Sequence, residues 1–172
     1  MSPSNVPSFT ELMADCHRTA VHLEMRDSYG VDYETGDFAA WRKTGRWDNP
    51  EYWNPWTSLV RDAVGRGVEM RRVRIVSEPV TEYIRFEYAG TVNNVSAGEK
   101  VRWLPRRQTS GIALPGNDFW LFDGQLVEWN HFTGDGGLAG HELTDDPDVV
   151  KLCASAFDTI WERAIPHEDF AV

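Results

Sequence analysis

Cysteine is almost missing from this chain. Only Cys16 and Cys153 occur in 172 residues, too few and too far apart for a disulfide framework or a metal-ligand spacing. Both fall on apolar helical stripes rather than beside a base, so neither reads as a nucleophile, and the usage is that of a reducing cytoplasm. No apolar run approaches transmembrane length, and the opening "MSPSNVPSF" has no signal-peptide core, so the chain is expected to be soluble and without a membrane partner. Positive charge is in short supply, with 17 Lys and Arg against 27 Asp and Glu and a net charge of -10. Wide contact with a phosphate backbone needs a basic face, so direct nucleic-acid binding is set aside. The phosphate-cradling Gly-x-x-x-x-Gly-Lys loop, the dinucleotide fingerprint, the Gly-x-Ser-x-Gly elbow and His-Glu-x-x-His are all absent. "TGDGG" is glycine-rich but lies between strand-like segments, where a plain turn is expected.

What the chain does have is tryptophan, eight in all, and a clear alternation of helix-like and strand-like segments. Residues 1–7 are polar and carry proline, and are expected to form a flexible tail before one domain over 8–172. Ser8 with Glu11 has capping-box spacing ahead of the stripe Phe9, Leu12, Met13, Cys16. "AVHLEMRDSYG" alternates, with Val21, Leu23 and Met25 on one face and His22, Glu24 and Arg26 on the other, then turns at Ser28 to Gly30. Glu34 to Thr44 predicts a short helix, and "DNPEYWNPW" carries two Asn-Pro turn signals and the aromatics Tyr52, Trp53 and Trp56. The aromatic stretch from Trp41 to Trp56 is expected to cover a core or a pocket mouth. "TSLVRDAVGRG" predicts a helix, and Glu69 to Val76 a strand leading through Ser77 to Pro79 into a helix from about Val80 to Tyr88, with Pro79 in its first turn. "AGTVNNVSAGE" then reads as loop and "KVRWLP" as a short strand. "DFWLFDGQLVEWNHF" predicts two strands about the hairpin dipeptide Asp123-Gly124. "DDPDVVKLCASAFDTIWERA" predicts a closing amphipathic helix capped at Asp145 or Asp146, with Pro147 in its first turn. The order implies an α/β (α+β) domain with a single mixed central sheet flanked by helices.

The charged strand faces are the candidate site. Glu24, Arg26 and Asp27 end one strand, Arg74, Ser77 and Glu78 another, and Arg102 and Arg106 flank a third, while Asp118, Trp120, Asn130 and His131 lie on the hairpin. Ligands of α/β sheets collect beyond the carboxyl ends of strands, where several of these residues are expected to meet. Two readings stay open. Buried charges must pair, so the residues could form an internal Arg–carboxylate network that fixes strand order. Alternatively, Arg26, Arg74 or Arg102 holds a small anionic ligand bidentately, with Tyr83, Trp103 and Trp120 as walls. For a small-molecule enzyme in the same cleft, the acid–base candidates are Glu24, Glu78, Tyr83 and His131. His131 and His141, with Asp135 or Glu142, come nearest to a metal cluster, but the spacing is not diagnostic and neither a metal nor a cofactor is assigned.

The segments "HLEMRDSYG", "RVRIVSEPVTEYIRFEY", "AGEKVRWLPR", "LPGNDFWLFDGQLVEWNHF", "HELTDDPDVV" and "AFDTIWERAIPHED" together resemble a family of actinobacterial proteins, the DUF6879 type, from Phe9 to Phe170. The resemblance implies a non-catalytic regulatory or ligand-sensing module associated with helix-turn-helix regulators, one of which would be its protein partner. A homodimer is kept open beside it. The strand pattern and closing helix also look like the phospholipase-D-like fold, whose enzymes carry His-x-Lys-x-x-x-x-Asp. Here His131 is followed by Thr133 at the Lys position and Leu138 at the Asp position, which implies that the phosphodiesterase chemistry is gone. The resemblance carries no established catalytic residues to transfer.

Overall fold

The computed structural model describes residues 6–30, 32–47 and 50–172. Most of the expected tail over 1–7 lies outside the described residues, as do Asn49, the start of the first Asn-Pro signal, and the side chains of Tyr52 and Trp53.

Seven strands form one mixed sheet in the order β6-β5-β4-β1-β2-β3-β7, flanked by helices on both faces. Strands β1 (Thr19–Glu24), β2 (Glu69–Val76) and β3 (Lys100–Pro105) run parallel at its centre. The hairpin pair β4 (Asp118–Phe122) and β5 (Leu126–Phe132), then β6 (Leu138–Thr144), extend it antiparallel on one side, and the short β7 (Ile165–Pro166) closes the other. The hairpin turns where Asp123-Gly124 predicts it, with both residues at positive φ, 52° and 68°. Asp123 also holds β1 in place, its carboxylate accepting from the backbone N–H groups of His17, Arg18 and Thr19.

Helix α1 (Phe9–Asp15) has the expected capping box, Ser8 Oγ accepting from Glu11 N while Glu11 accepts from Ser8 N. Helices α2 (Asp32–Thr44) and α3 (Pro50–Gly65) follow β1. Asn54-Pro55, expected as a turn, lies inside α3. Helix α4 (Glu82–Ala97) differs most from expectation. It starts later, because Thr81 is the cap and its Oγ1 accepts from Ile84 N at 3.1 Å, which leaves Pro79 outside the helix. It also runs through the segment read as loop and stops only at Gly98, whose φ of 110° suits a left-handed cap. Gly90 serves packing inside this helix: a Cβ there would stand 2.6 Å from the Trp47 indole. Helix α5 (Pro147–Arg163) is capped by Asp146, with Pro147 in the first turn as predicted.

Strand alternation divides the core. Val21, Leu23, Val73, Ile75, Leu104, Phe119, Leu121 and Val127 face α5 and pack on Cys153, Phe157 and Ile160. On the opposite face, α1 and α3 cover the starts of β1 and β2 through Met13, Val60, Ala63 and Met70, while α4 covers β3 through Phe86 and Trp103. Between those two clusters the same face carries charge.

Candidate functional site

On β1 and β2 the residues alternating with the α5-facing aliphatics are His22, Glu24, Arg72 and Arg74, and each is buried. Glu24 sits at the centre. Arg72 Nη1 donates to its Oε1 and Arg74 Nε to its Oε2, both at 2.5 Å, and His22 Nε2 lies 3.2 Å from Oε1. Arg72 Nε donates to Glu99 Oε1, and Glu99 Oε2 accepts from Asn94 Nδ2 at 2.8 Å. Arg74 Nη1 donates to Thr91 Oγ1, and its Nε is 3.6 Å from Glu87 Oε2. The two guanidiniums are therefore held by carboxylates on both sides, and Glu87, Thr91 and Glu99 among their partners come from α4 or the turn that ends it. Burial alone would raise the Glu24 carboxyl, but the charges of Arg74 and Arg72 outweigh it and hold it well below the usual carboxylate range.

Above this floor lies a cleft of about 630 Å³, bounded by α1, α3 and α4 on one side and by β4, β5 and β6 on the other. Its walls are aromatic: Trp120 stacks on His22 at 4.2 Å, Trp56 leans on Trp120 at 5.9 Å, and Arg72 lies over both indoles. Two further carboxyls line it. Asp118 Oδ1 accepts from Met25 N at 2.9 Å and its Oδ2 from the Tyr29 hydroxyl. Burial pushes Asp118 up to about 7 and the Tyr29 phenol well above its ordinary value. Glu128, paired across the ladder with Trp120, is 2 % exposed, and burial pushes it up to about 7 as well. Its Oε1 stands 3.6 Å from His141 Nδ1, and its Oε2 has no hydrogen-bond partner among the described residues. Trp56 Nε1 and Asn94 Oδ1, which also line the cleft, are buried and without partners in the same sense.

Of the residues expected to form the site, Glu24, Arg74, Asp118, Trp120 and Asn130 meet in this cleft. Trp103 lies beneath it, the Arg74 guanidinium 5.1 Å from its ring and its Nε1 donating to His167 Nδ1 at 3.1 Å. Arg26 stands at the rim, over the Phe132 ring at 5.3 Å. Tyr83 is buried beside Phe86 and Phe38, its hydroxyl 3.5 Å from Glu87. The others are elsewhere. Arg102 is on the α5 face of β3, where it caps the Trp161 carbonyl and covers that indole at 4.2 Å. Glu78 is beyond the end of β2, 3.5 Å from the exposed Arg107. His131 alternates with Asn130 and so points away from the cleft, to Glu142 at 3.3 Å, while His141 points into it. The two histidines therefore cannot share a metal, and no three His, Cys, Asp or Glu side chains cluster for one among the described residues. The crevice beyond the carboxyl ends of the parallel strands, the expected ligand site, is filled by Asp27, which accepts from Ser77 N and Oγ at 2.7 and 2.6 Å, and by Arg106, which donates to Ser77 Oγ and the Met25 carbonyl. Burial pushes Cys16 up to about 11 and Cys153 up to about 12, which leaves both thiols inert.

Tyr29, Arg72, Glu87, Asn94, Glu99 and Glu128 enter the site without having been singled out for it, while Trp56 lines it as the expected aromatic cover of a pocket mouth. Glu128 had a usable signal, since it alternates with Val127 and Trp129 and shares a face with Asn130. Asn94 and Glu99 had none, because their positions follow from the length of α4.

Among the described residues no helix is long and apolar enough to cross a membrane. The family model described as "Domain of unknown function (DUF6879)" matches residues 7–172. No curated protein matches the chain. Among solved structures, it is similar to TrmBL2, described as an archaeal chromatin protein with a novel mode of DNA binding, at 13% identity over 90% of this chain and with a TM-score of 0.47. The match covers 47% of that protein, so this chain spans about half its length. It is also similar to Nuc from Salmonella typhimurium, a phospholipase D family member, at 11% identity, covering 91% of this chain and 86% of that one, with a TM-score of 0.49.

Proposed function

The chain belongs to the DUF6879 family, and from that premise we propose that this member is a non-catalytic sensing module that takes a small ligand in the cleft above Glu24, Arg72 and Arg74. The observation that carries the reading is that three residues lining one cavity, Trp56, Asn94 and Glu128, each carry a buried polar atom without a partner among the described residues, Nε1, Oδ1 and Oε2 respectively. Buried polar groups of a folded protein are nearly always paired, and leaving one unpaired costs about 1–3 kcal/mol. Three together in a roomy cleft mark a place where something else supplies the partners. The satisfied ion-pair floor supports the same reading, because it keeps the walls rigid before the ligand arrives. Occupancy would be passed to a helix-turn-helix regulator, the protein partner that the family resemblance implies.

The test is a thermal-shift screen of the full chain against small molecules sorted by charge, followed by mass spectrometry of each hit after incubation. Compounds that raise the melting temperature and are recovered unchanged support a sensor. A panel with no shift, together with affinity capture that recovers no helix-turn-helix regulator, counts against it.

A second reading, a small-molecule enzyme, draws on Asp118 and Glu128, whose values near 7 suit proton transfer at neutral pH. A product that forms in the wild type and disappears in Asp118→Asn would establish it.

A further inference from the structure

The cleft's polar groups are not balanced. Among its described lining residues four carboxyls, Glu24, Glu87, Asp118 and Glu128, face two guanidiniums. Both guanidiniums already hold carboxylates, and Arg72 has Glu99 behind it as well. An anion entering here would meet guanidiniums whose charge Glu24, Glu87 and Glu99 already neutralise, and would add a further negative charge among four carboxyls. The atoms left over are mainly acceptors. Glu128 Oε2 is one, on a side chain 3% exposed. Asn94 Oδ1 is another, and its identity as the oxygen follows from Nδ2 donating to the Glu99 carboxylate. Glu128 and Asp118 are diagonal neighbours on one sheet face, through the pairs Trp120–Glu128 and Asp118–Asn130, which puts them roughly 7 Å apart at the backbone. Trp120 and Phe132 lie on that same face beside them.

We infer that the ligand of this cleft is an organic cation, an ammonium or guanidinium group carried on a flat apolar body, with its N–H donors on Glu128 and its body against Trp120 and Phe132. The inference rests on the sensing reading above and adds the ligand's chemical class. An acidic group supplies the counter-charge, and aromatic faces attract a cation where anions are repelled. Asn94 Oδ1 offers a further acceptor, and Trp56 Nε1 is a single donor that a hydroxyl or carbonyl on the ligand would meet.

Three probes of one shape test this on the full chain by titration calorimetry: phenethylammonium, 2-phenylethanol and phenylacetate, at about pH 8, where the cleft carboxyls are ionised and the amine is still charged. The expected result is that phenethylammonium binds at least about tenfold more tightly than the alcohol, and phenylacetate most weakly. Glu128→Gln brings the cation down to the level of the alcohol, whereas Glu78→Gln, away from the cleft, leaves all three unchanged. Should Glu128→Gln not fold, the wild type still decides: the Trp56 and Trp120 indole N–H resonances shift on adding phenethylammonium and stay put with phenylacetate. Equal or tighter binding of phenylacetate, no preference for the cation, or no binding of any probe up to about 10 mM overturns the inference. A neutral or anionic hit from the thermal-shift screen that binds in the cleft overturns it too, while leaving the sensing reading intact. A screen without any hit, joined to affinity capture that recovers no helix-turn-helix regulator, counts against both.

Discussion

The two faces of the central sheet are made from the same strands and could hardly differ more. Toward α5, Leu23, Val73, Ile75 and Phe119 close an apolar core with Phe157 and Ile160. One residue along each strand, toward α3 and α4, Glu24, Arg72 and Arg74 form a charge network at comparable depth. The apolar face is stabilised by area removed from water, a term that tolerates small changes of shape. The charged face is held by specific partners, each of which exposes another to loss when removed. The lesson is that burial alone says little about robustness. What counts is whether the buried groups need one another.

The largest effect expected from that difference is on Glu24. Glu24→Gln keeps the volume but leaves two buried guanidiniums short of a charge, and should lower the unfolding free energy by about 3–5 kcal/mol in urea titrations. Ile160→Val, at a fully buried site on the other face, should cost about 1 kcal/mol. Equal losses would erase the contrast. Gly90→Ala comes next, at about 1–3 kcal/mol, because the added methyl meets the Trp47 indole.

pH sharpens the comparison, since titrating groups sit mainly on the cleft face. Asp118 and Glu128 are raised to about 7 in the fold, against roughly 4 in an unfolded chain. The folded state then holds these protons more tightly, so stability falls as pH rises from about 4 through 7. The ligand-free protein should melt a few degrees higher at about pH 6 than at pH 8, and Asp118→Asn should flatten that slope. Toward acid the trend is opposed by His22, His141 and His167, all of which burial lowers, and lower still by Glu24, whose protonation removes its stabilising charge. A melting temperature that rises steadily up to pH 8 would sink the assignment. The smallest effect is at the surface: Lys100→Ala, which removes an exposed ion pair with Glu69, should change stability by less than about 1 kcal/mol.

Much of the architecture was legible in local pattern. The bounds of β2 and β3, the hairpin at Asp123-Gly124, the Ser8 capping box and a cap at Asp145 or Asp146, of which the fold uses Asp146, all follow from signals a few residues long. The faces of β1 and β2 followed too, because alternation with period 2 separates His22 and Glu24 from Val21 and Leu23. Helix α4 was the main failure. The segment from Ala89 to Glu99 reads as loop, but Gly90 admits Trp47 and Asn94 is tied to Glu99, and neither contact is visible to a local reading. Grouping Arg26, Arg74 and Arg102 failed for a similar reason. All three stand near strand ends, yet Arg102 occupies a β3 position that points to α5 and Arg26 lies past the end of β1.

By itself the sequence determined which residues are charged on which face of each strand, and that an acidic chain with two inert cysteines carries an α/β sheet. Both are properties of neighbours along the chain, set by strand periodicity and by capping. The tertiary structure alone decided that Arg72 and Arg74 are spent on Glu24, Glu99 and Thr91, that the crevice at the strand ends is filled by Asp27 and Arg106, and that the open polar space lies over β4 and β5 instead. The reason is physical: whether a buried charge is satisfied depends on partners up to about a hundred residues away, brought within hydrogen-bond distance only by strand order and by how far α4 runs.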